Sequence, residues 1–554
     1  MKQNDNNDKL DLSSTNMNKK ATRNFSKDLK NNTIKELNLS KNNLNEKSIK
    51  SIAESLKIND KIKIINLSSN DIGDRGLIHL SNALAQNSTL TSLNLSENNI
   101  TEHGTKDLCN ALKKNNSLQY LDISKNNIRN SGSKYLMSAL SINRSITSLN
   151  ISQTMMDMEG IVLISNHLEK DCILKELFLN ANGFQGTGID NIYRNSSLKD
   201  LFSIFMSSLK KNQTITNLEL ARNSLGEEGA KIISQFLIHP NKLKKLNISF
   251  NFIYPEGTKH ICESLLKNTT LEKLDISFNG LKNASLEYIT NLIRKNSTLT
   301  ELKLAQNSFT DDSTTLLRNS LISNSSITIL DLSGNSFNKN VEQFFFDEIN
   351  LSCLSLSSNN ISDSNIEVVS HYLSLNTTIT ELSLACNNFT DVGMLFLSES
   401  LKLNNTLIIL DISFNKYKPH ALNLLVDTLL DNKSLNKIVY ESFNQIETET
   451  IEKLEYLLNC NVEWHHSGYQ ELHPLIRQSI FSFLLCFLDY DFPYKFPKYV
   501  LFEIIKNIDR KTYFPLIFQV KTENVVEKKE KENAIKKKTT KPKNKLNRRV
   551  DKKK

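Results

Sequence analysis

The segment Leu93-Asn94-Leu95-Ser96-Glu97-Asn98-Asn99-Ile100 returns as Leu121-Asp122-Ile123-Ser124-Lys125-Asn126-Asn127-Ile128, and no other property of the chain constrains its fold as much. The pattern L-x-L-x-x-N-x-(I/L/F) starts at residues 37, 65, 93, 121, 149, 177, 218, 246, 274, 302, 330, 354, 382, 410 and 438. Twelve of its fourteen intervals are 28 residues, one is 41 and one is 24. A fixed period of this length marks a stack of similar units, none of which can bury its apolar face alone. The spacing therefore predicts one continuous core across most of the 554 residues, rather than three or four separate domains.

Each repeat position has a physical role. Leu37 and Leu39, and their equivalents, alternate with polar residues, as expected of a short strand with one buried face. An Asn follows at 42, 70, 98, 126, 182, 223, 251, 279, 307, 335, 359, 387 and 415. Its side chain both donates and accepts, so in a stack it can satisfy backbone groups of the turn that leaves the strand. Thr154 and Phe443 are expected to break this ladder. Gly76, Gly104, Gly132, Gly160, Gly229, Gly257 and Gly393 come six residues after the Asn, where a turn into the next segment calls for a small or conformationally free residue. That segment reads as a helix, as in Tyr135 to Leu140, and Asn87-Ser88-Thr89-Leu90 leads back to the next strand.

The unit resembles the ribonuclease-inhibitor subtype of leucine-rich repeats, shared with Ran GTPase-activating proteins and the sensing regions of NOD-like receptors. The resemblance covers roughly residues 25–460, as about 15 repeats of 28 residues. It implies an α/β solenoid, a curved horseshoe with parallel strands on the concave face and helices on the convex face. Residues 1–24 are expected to be disordered, 461–520 to form a helical module or cap, and 521–554 a disordered basic tail. The 41-residue interval predicts an inserted loop within 183–199, ahead of a helix at about Leu201–Leu209.

The outward strand positions supply the candidate partner-binding residues: Tyr120, Phe178, Glu219, Lys245, Lys273, Asp275, Lys303 and Asp331. Interfaces draw most of their energy from a few aromatic or Arg anchors, and here only Tyr120 and Phe178 are of that kind. A partner is then held mainly by polar and charged contacts.

The chain lacks the G-x-x-x-x-G-K-S/T, H-E-x-x-H and G-x-S-x-G patterns. Gly186 and Gly188 lack the third glycine and the strand–helix setting of a dinucleotide site. Cys460, His465, His466 and His473 are not spaced as a zinc site. No catalytic residue, cofactor or metal is expected, and the chain reads as a binding protein rather than an enzyme.

No secretory signal or membrane span is visible, and seven Cys without paired spacing suggest reduced thiols in the cytoplasm or nucleus. The net charge of +9 is local: residues 521–554 hold 15 basic and 5 acidic side chains, which leaves the body nearly neutral. The clusters Lys528-Lys529 and Lys536-Lys537-Lys538 resemble a bipartite nuclear-import signal, and the tail also suits weak, non-specific polyanion binding. From Leu472 to Leu488 the apolar residues recur at helical spacing. The stretch Phe496-Pro497 to Ile505 resembles part of the F-box and SOCS-box modules, with Phe496 where those favour Leu. The expected function is an intracellular scaffold for a protein partner. The alternatives are a Ran-type activator of a small GTPase, against which the basic tail counts, or a ubiquitin-ligase adaptor.

Overall fold

The computed structural model describes residues 8–17, 19–29, 33–170, 172–183, 196–346, 348–440 and 448–467. Its strands are β1 (Lys9–Asp11), β2 (Glu36–Asn38), β3 (Ile64–Asn66), β4 (Ser92–Asn94), β5 (Tyr120–Asp122), β6 (Ser148–Asn150), β7 (Glu176–Phe178), β8 (Asn217–Glu219), β9 (Lys245–Asn247), β10 (Lys273–Asp275), β11 (Glu301–Lys303), β12 (Ile329–Asp331), β13 (Cys353–Ser355), β14 (Glu381–Ser383), β15 (Ile409–Asp411) and β16 (Lys437–Val439). Its α-helices are α1 (Lys19–Asp28), α2 (Glu46–Leu56), α3 (Gly73–Leu84), α4 (Glu102–Leu112), α5 (Arg129–Leu140), α6 (Met158–Leu168), α7 (Ser196–Lys211), α8 (Gly226–Leu237), α9 (Tyr254–Leu265), α10 (Leu286–Lys295), α11 (Thr314–Ile322), α12 (Asp363–Leu375), α13 (Asp391–Leu403), α14 (Leu422–Asp431) and α15 (Thr448–Ser467). Strand order follows chain order throughout, as a solenoid of strand–turn–helix repeats requires.

The chain divides into two units. The first holds β1 to β14 and α1 to α11, and each of its strands pairs in parallel with the next. From β2 onward the central residue of each strand (Leu37, Ile65, Leu93, Leu121 and so on) is buried, while its two neighbours face away from the core. The second leucine of the pattern is also buried, and the helices close the other side with residues such as Leu136, Leu140, Ile233 and Leu237. In the second unit β15 pairs with β16, and α12 to α15 pack each against the next.

Backbone hydrogen bonds between repeats are completed by the asparagine side chains. Asn70 Oδ1 accepts the N–H of Asn42 at 3.0 Å and of Leu44 at 2.9 Å, both in the preceding repeat. Its Nδ2 donates backward to Leu39 O at 3.1 Å and within its own turn to Leu67 O at 2.9 Å. The same link runs from Asn182 through Asn223, Asn251, Asn279 and Asn307 to Asn335. At Thr154 half of the ladder persists: it keeps the link to the next repeat, while its side chain accepts nothing from the turn of the preceding repeat. Its N–H donates to Asn182 Oδ1 at 2.9 Å, and its hydroxyl donates to Ile151 O at 2.8 Å with Asn182 Oδ1 also within reach at 3.0 Å. The hydroxyl donates to its own turn and the backbone is held by the next amide, but the acceptor that an asparagine offers the preceding turn is not replaced. At Asn98 the link is altered: its Oδ1 is buried without a partner, while Asn70 N–H donates to Glu97 O. Phe443 lies outside the described residues.

A second asparagine ladder lies at the opposite end of the repeat. Asn87 Nδ2 donates to Leu56 O at 2.7 Å and Asn59 O at 3.0 Å, and its Oδ1 accepts from Thr89 and Leu90 N–H. Asn115, Asn143, Asn324, Asn404 and Asn432 donate in the same way. These amides satisfy the last carbonyls of the helices, which have no partner within the helix.

Several expectations are corrected. The segment up to residue 24 is not structureless: β1 pairs with β2 in register Leu10↔Leu37, and α1 follows. This is one more repeat, with Thr15 at the ladder position donating to Leu12 O and Asn42 Oδ1. The repeat layer also passes residue 460, because Asn461 in α15 donates to Leu435 O at 2.6 Å. α7 begins at Ser196, so the last part of the expected loop is helical; residues 184–195 lie outside the described residues. The repeated glycines sit inside helices and serve close packing. A Cβ on Gly104 would lie 2.5 Å from Asp74 Oδ1 and 3.0 Å from Asp74 Cα. The 24-residue repeat holds a 3₁₀ helix, Val341–Phe345, in place of an α-helix, and Phe337 and Phe344 pack edge-on with centroids 5.9 Å apart.

The ladder makes a stability prediction. Asn251→Ala leaves the buried N–H groups of Asn223 and Leu225 without an acceptor, and should cost about 3 kcal/mol. Thr154→Val removes one hydroxyl and should cost about 1 kcal/mol. Urea midpoints of the two variants check this order, and equal midpoints contradict it.

Candidate functional site

The outward positions of β5 to β12 form two parallel rows, because the register places equivalent residues side by side. Tyr120, Glu176, Lys245, Lys273 and Glu301 stand in the first row. Asp122, Phe178, Glu219, Asp275, Lys303 and Asp331 stand in the second. Glu219, Lys245, Lys273, Asp275, Lys303 and Asp331 are thereby brought together over five neighbouring strands, β8 to β12, a span of about 20 Å. Phe178 stands beside Glu219 on β7. Tyr120 lies farther off on β5, where its hydroxyl donates to Asp122 Oδ2 at 3.2 Å. Burial and the Asp122 carboxylate push its phenol well above the usual range.

Glu301 is the electrostatic centre. Lys273 Nζ lies 2.5 Å and Lys303 Nζ 3.3 Å from its carboxylate oxygens. Burial alone would raise its pKa, but the two lysines outweigh burial and hold it below the ordinary value. Burial also opposes the charge of Lys303, and Glu301, Asp275 and Asp331 overcome that to raise its pKa. Glu219 differs. Its carboxylate accepts from Asn247 Nδ2 at 2.7 Å, and among the described residues no cation forms an ion pair with it. Burial, reinforced by the charge of Asp275, pushes its pKa up.

A second surface borders these rows and was not found from the sequence. Phe250 and Phe278 stack with ring centroids 4.0 Å apart and planes 16° from parallel. The Arg222 guanidinium lies 4.4 Å from the Phe250 centroid, a cation–π contact. Phe252 and Tyr254, with ring centroids 6.4 Å apart, follow Phe250 in the chain and are exposed, as is Phe278. Arg222, Phe250 and Phe278 all occupy the residue before the ladder asparagine. The readable signal was an aromatic ring at a position filled by Lys41, Ser69, Glu97 and Lys125 in other repeats.

The arrangement offers ion pairing, hydrogen bonding and aromatic contact to a large ligand. Among the described residues no group of three or more His, Cys, Asp or Glu stands where it could hold a metal ion, and no helix is long and apolar enough to cross a membrane. Lys528, Lys529, Lys536, Lys537 and Lys538 lie outside the described residues, as do most of 461–520 and His473.

Glu219 yields a pH prediction with a definite sign. Because its pKa is raised on folding, its ionisation opposes folding at neutral pH, and the burden disappears as pH falls through the carboxylate range. Glu219→Gln should therefore raise the urea midpoint at neutral pH, and the gain should shrink to nothing in acid. A midpoint lowered at neutral pH contradicts this assignment.

A family model described as a Leucine Rich repeat matches residues 30–53, 59–81, 86–109, 114–137, 211–234, 267–289, 295–313 and 375–398. No curated protein matches. Among solved structures, the chain is similar to the crystal structure of a TLR13–ssRNA13 complex, with 20% identity, 81% of this chain and 55% of that chain covered, and a TM-score of 0.44. It thus spans about half the length of that chain. It is also similar to leiomodin-1 actin-binding site 2, with 19% identity, 33% of this chain and 89% of that chain covered, and a TM-score of 0.24. The eight matched repeats fall on the strand–turn–helix units of the solenoid, and the chain is a leucine-rich-repeat protein of the ribonuclease-inhibitor-like type.

Proposed function

We propose that the protein is a non-catalytic interaction scaffold that holds a protein partner on the strand face of β8 to β12. The register carries this reading. It sets Glu219, Lys245, Lys273, Asp275, Lys303 and Asp331 on adjacent strands with side chains turned away from the core. Charges on a rigid sheet need no ordering when a partner arrives, so less binding free energy is lost to conformational entropy. Exposed ion pairs contribute little by themselves, typically below about 1 kcal/mol, so the charges set orientation and selectivity.

The reading extends to location: cytoplasm, nucleus or both, with Lys528, Lys529, Lys536, Lys537 and Lys538 as the nuclear-import signal. Ran-type GTPase activation and ligase recruitment have no such support. No GTPase-contacting residue is identifiable by motif, and the F-box-like stretch lies outside the described residues.

Affinity capture from cell extract at low and moderate salt tests the scaffold. The baits are the intact chain, a chain ending at Gln519, a strand-face variant (Lys245→Glu with Lys273→Glu) and a helix-face control (Lys106→Glu). The expected result is a partner that survives moderate salt, tail removal and the control, and is lost with the strand-face variant. Loss with the tail alone moves the function to the basic segment. Equal capture by both substituted baits removes the strand face from consideration.

A further inference from the structure

Phe250 and Phe278 are not explained by folding. Both have left-handed backbone, with φ of +57°, a conformation that bulky residues adopt at a cost. Other repeats fill the same left-handed position with Lys41, Ser69 or Ser358, so the solenoid needs no ring there. Phe278 is 39% exposed, and Phe252 and Tyr254, just after Phe250 in the chain, are 50% and 44% exposed. An aromatic stack that bears a backbone penalty and stays open to water has its use outside the fold. Rings of this kind, with an arginine at one end, are the side chains that dominate interface energies.

The surface beside the stack identifies the occupant. The outward positions of β7 to β12 hold five carboxylates (Glu176, Glu219, Asp275, Glu301 and Asp331) against three lysines (Lys245, Lys273 and Lys303). Two of those lysines are taken up by Glu301. The face beside the ledge is therefore acidic, which repels a nucleic acid and suits a basic partner. Phe278 follows Asp275 by three residues, and Phe250 follows Asn247 by three, so the rings lie about 10 Å along the strand direction from the acidic row.

Resting on the scaffold reading, we infer that the Phe250–Phe278 ledge and the adjoining acidic row together bind an extended protein segment carrying a basic side chain and, about three residues from it, an aromatic or large aliphatic side chain. The apolar side chain lies on the rings, and the basic one reaches Glu219 and Asp275. Extended peptides advance about 3.3 Å per residue, and that rise sets the spacing.

The probe is a fluorescent synthetic peptide of Arg-x-x-Trp units in Gly/Ser spacers, titrated into the full-length protein by anisotropy. Companion probes replace Arg by Glu or Trp by Ser, and a fourth is oligothymidylate. Phe250→Ser with Phe278→Ser should keep the parent's urea midpoint and weaken Arg-x-x-Trp binding about tenfold or more. Asp275→Asn with Glu219→Gln should weaken it as well, and the Glu-containing and Ser-containing probes should bind less tightly to the parent. The inference is overturned if the ring variant binds the Arg-x-x-Trp probe as the parent does, or if oligothymidylate or the Glu-containing probe is the one whose binding depends on the rings. If ring substitution is silent while Lys245→Glu with Lys273→Glu alters probe binding, the ledge assignment alone fails. If neither change matters, the strand-face reading fails with it.

Discussion

The hydrogen bonds from each ladder asparagine to the turn of the preceding repeat are the constraint on which the rest of the structure depends. A three-residue strand contributes few backbone bonds, and its neighbours end where the chain turns toward the helix. Without a side-chain amide, the N–H groups of residues such as Asn223 and Leu225 would be buried with no acceptor. Each orphaned group costs about 1–3 kcal/mol, so a stack of turns built that way would be unstable. Asn251 accepts from both groups in one repeat, and its own N–H is accepted by Asn279 in the next. Repeats joined in this way are completed by their successors, which explains why the unit exists only as an array.

The same bonds fix the functional surface. Locking turn to turn leaves no freedom in strand register, and a one-residue slip would bury the outward rows. Glu301 meets Lys273 only because β10 and β11 are held in that alignment, and Asp275 meets Lys303 for the same reason. The left-handed residue before each ladder asparagine then projects at the border of the strand face. Three successive repeats place Arg222, Phe250 and Phe278 there, and stacking follows from the repeat spacing alone.

The period, the alternating leucines and the asparagines were legible in the sequence because each answers to a single local requirement. What was missed depended on function rather than residue type. Thr15 and Thr154 each hold their own turn and the next repeat through a hydroxyl, so a pattern that demanded Asn placed the first strand outside the array and read as a full break a position that keeps half of its bonds. Gly104 was assigned to a turn that needs a small or conformationally free residue, whereas it lies within α4 and the space it vacates is occupied by Asp74 of the preceding repeat, a reason visible only after stacking. The second asparagine series was seen as a return turn, not as the acceptor-satisfying ladder of the helix ends. The candidate surface was drawn from strand positions alone, which found the charged rows and overlooked the rings three residues beyond them.

Amide hydrogen exchange read at single residues tests the central role of the ladder most directly. Asn42, Asn182, Asn223, Asn251, Asn279 and Asn307 lie in turns, yet their N–H groups donate to buried amide oxygens. They should exchange as slowly as the strand amides of their own repeats, and those of Asn223 and Leu225 should become fast in Asn251→Ala while the strands farther along the first unit stay protected. Fast exchange of these turn amides in the parent protein, at rates typical of surface loops, would contradict the account.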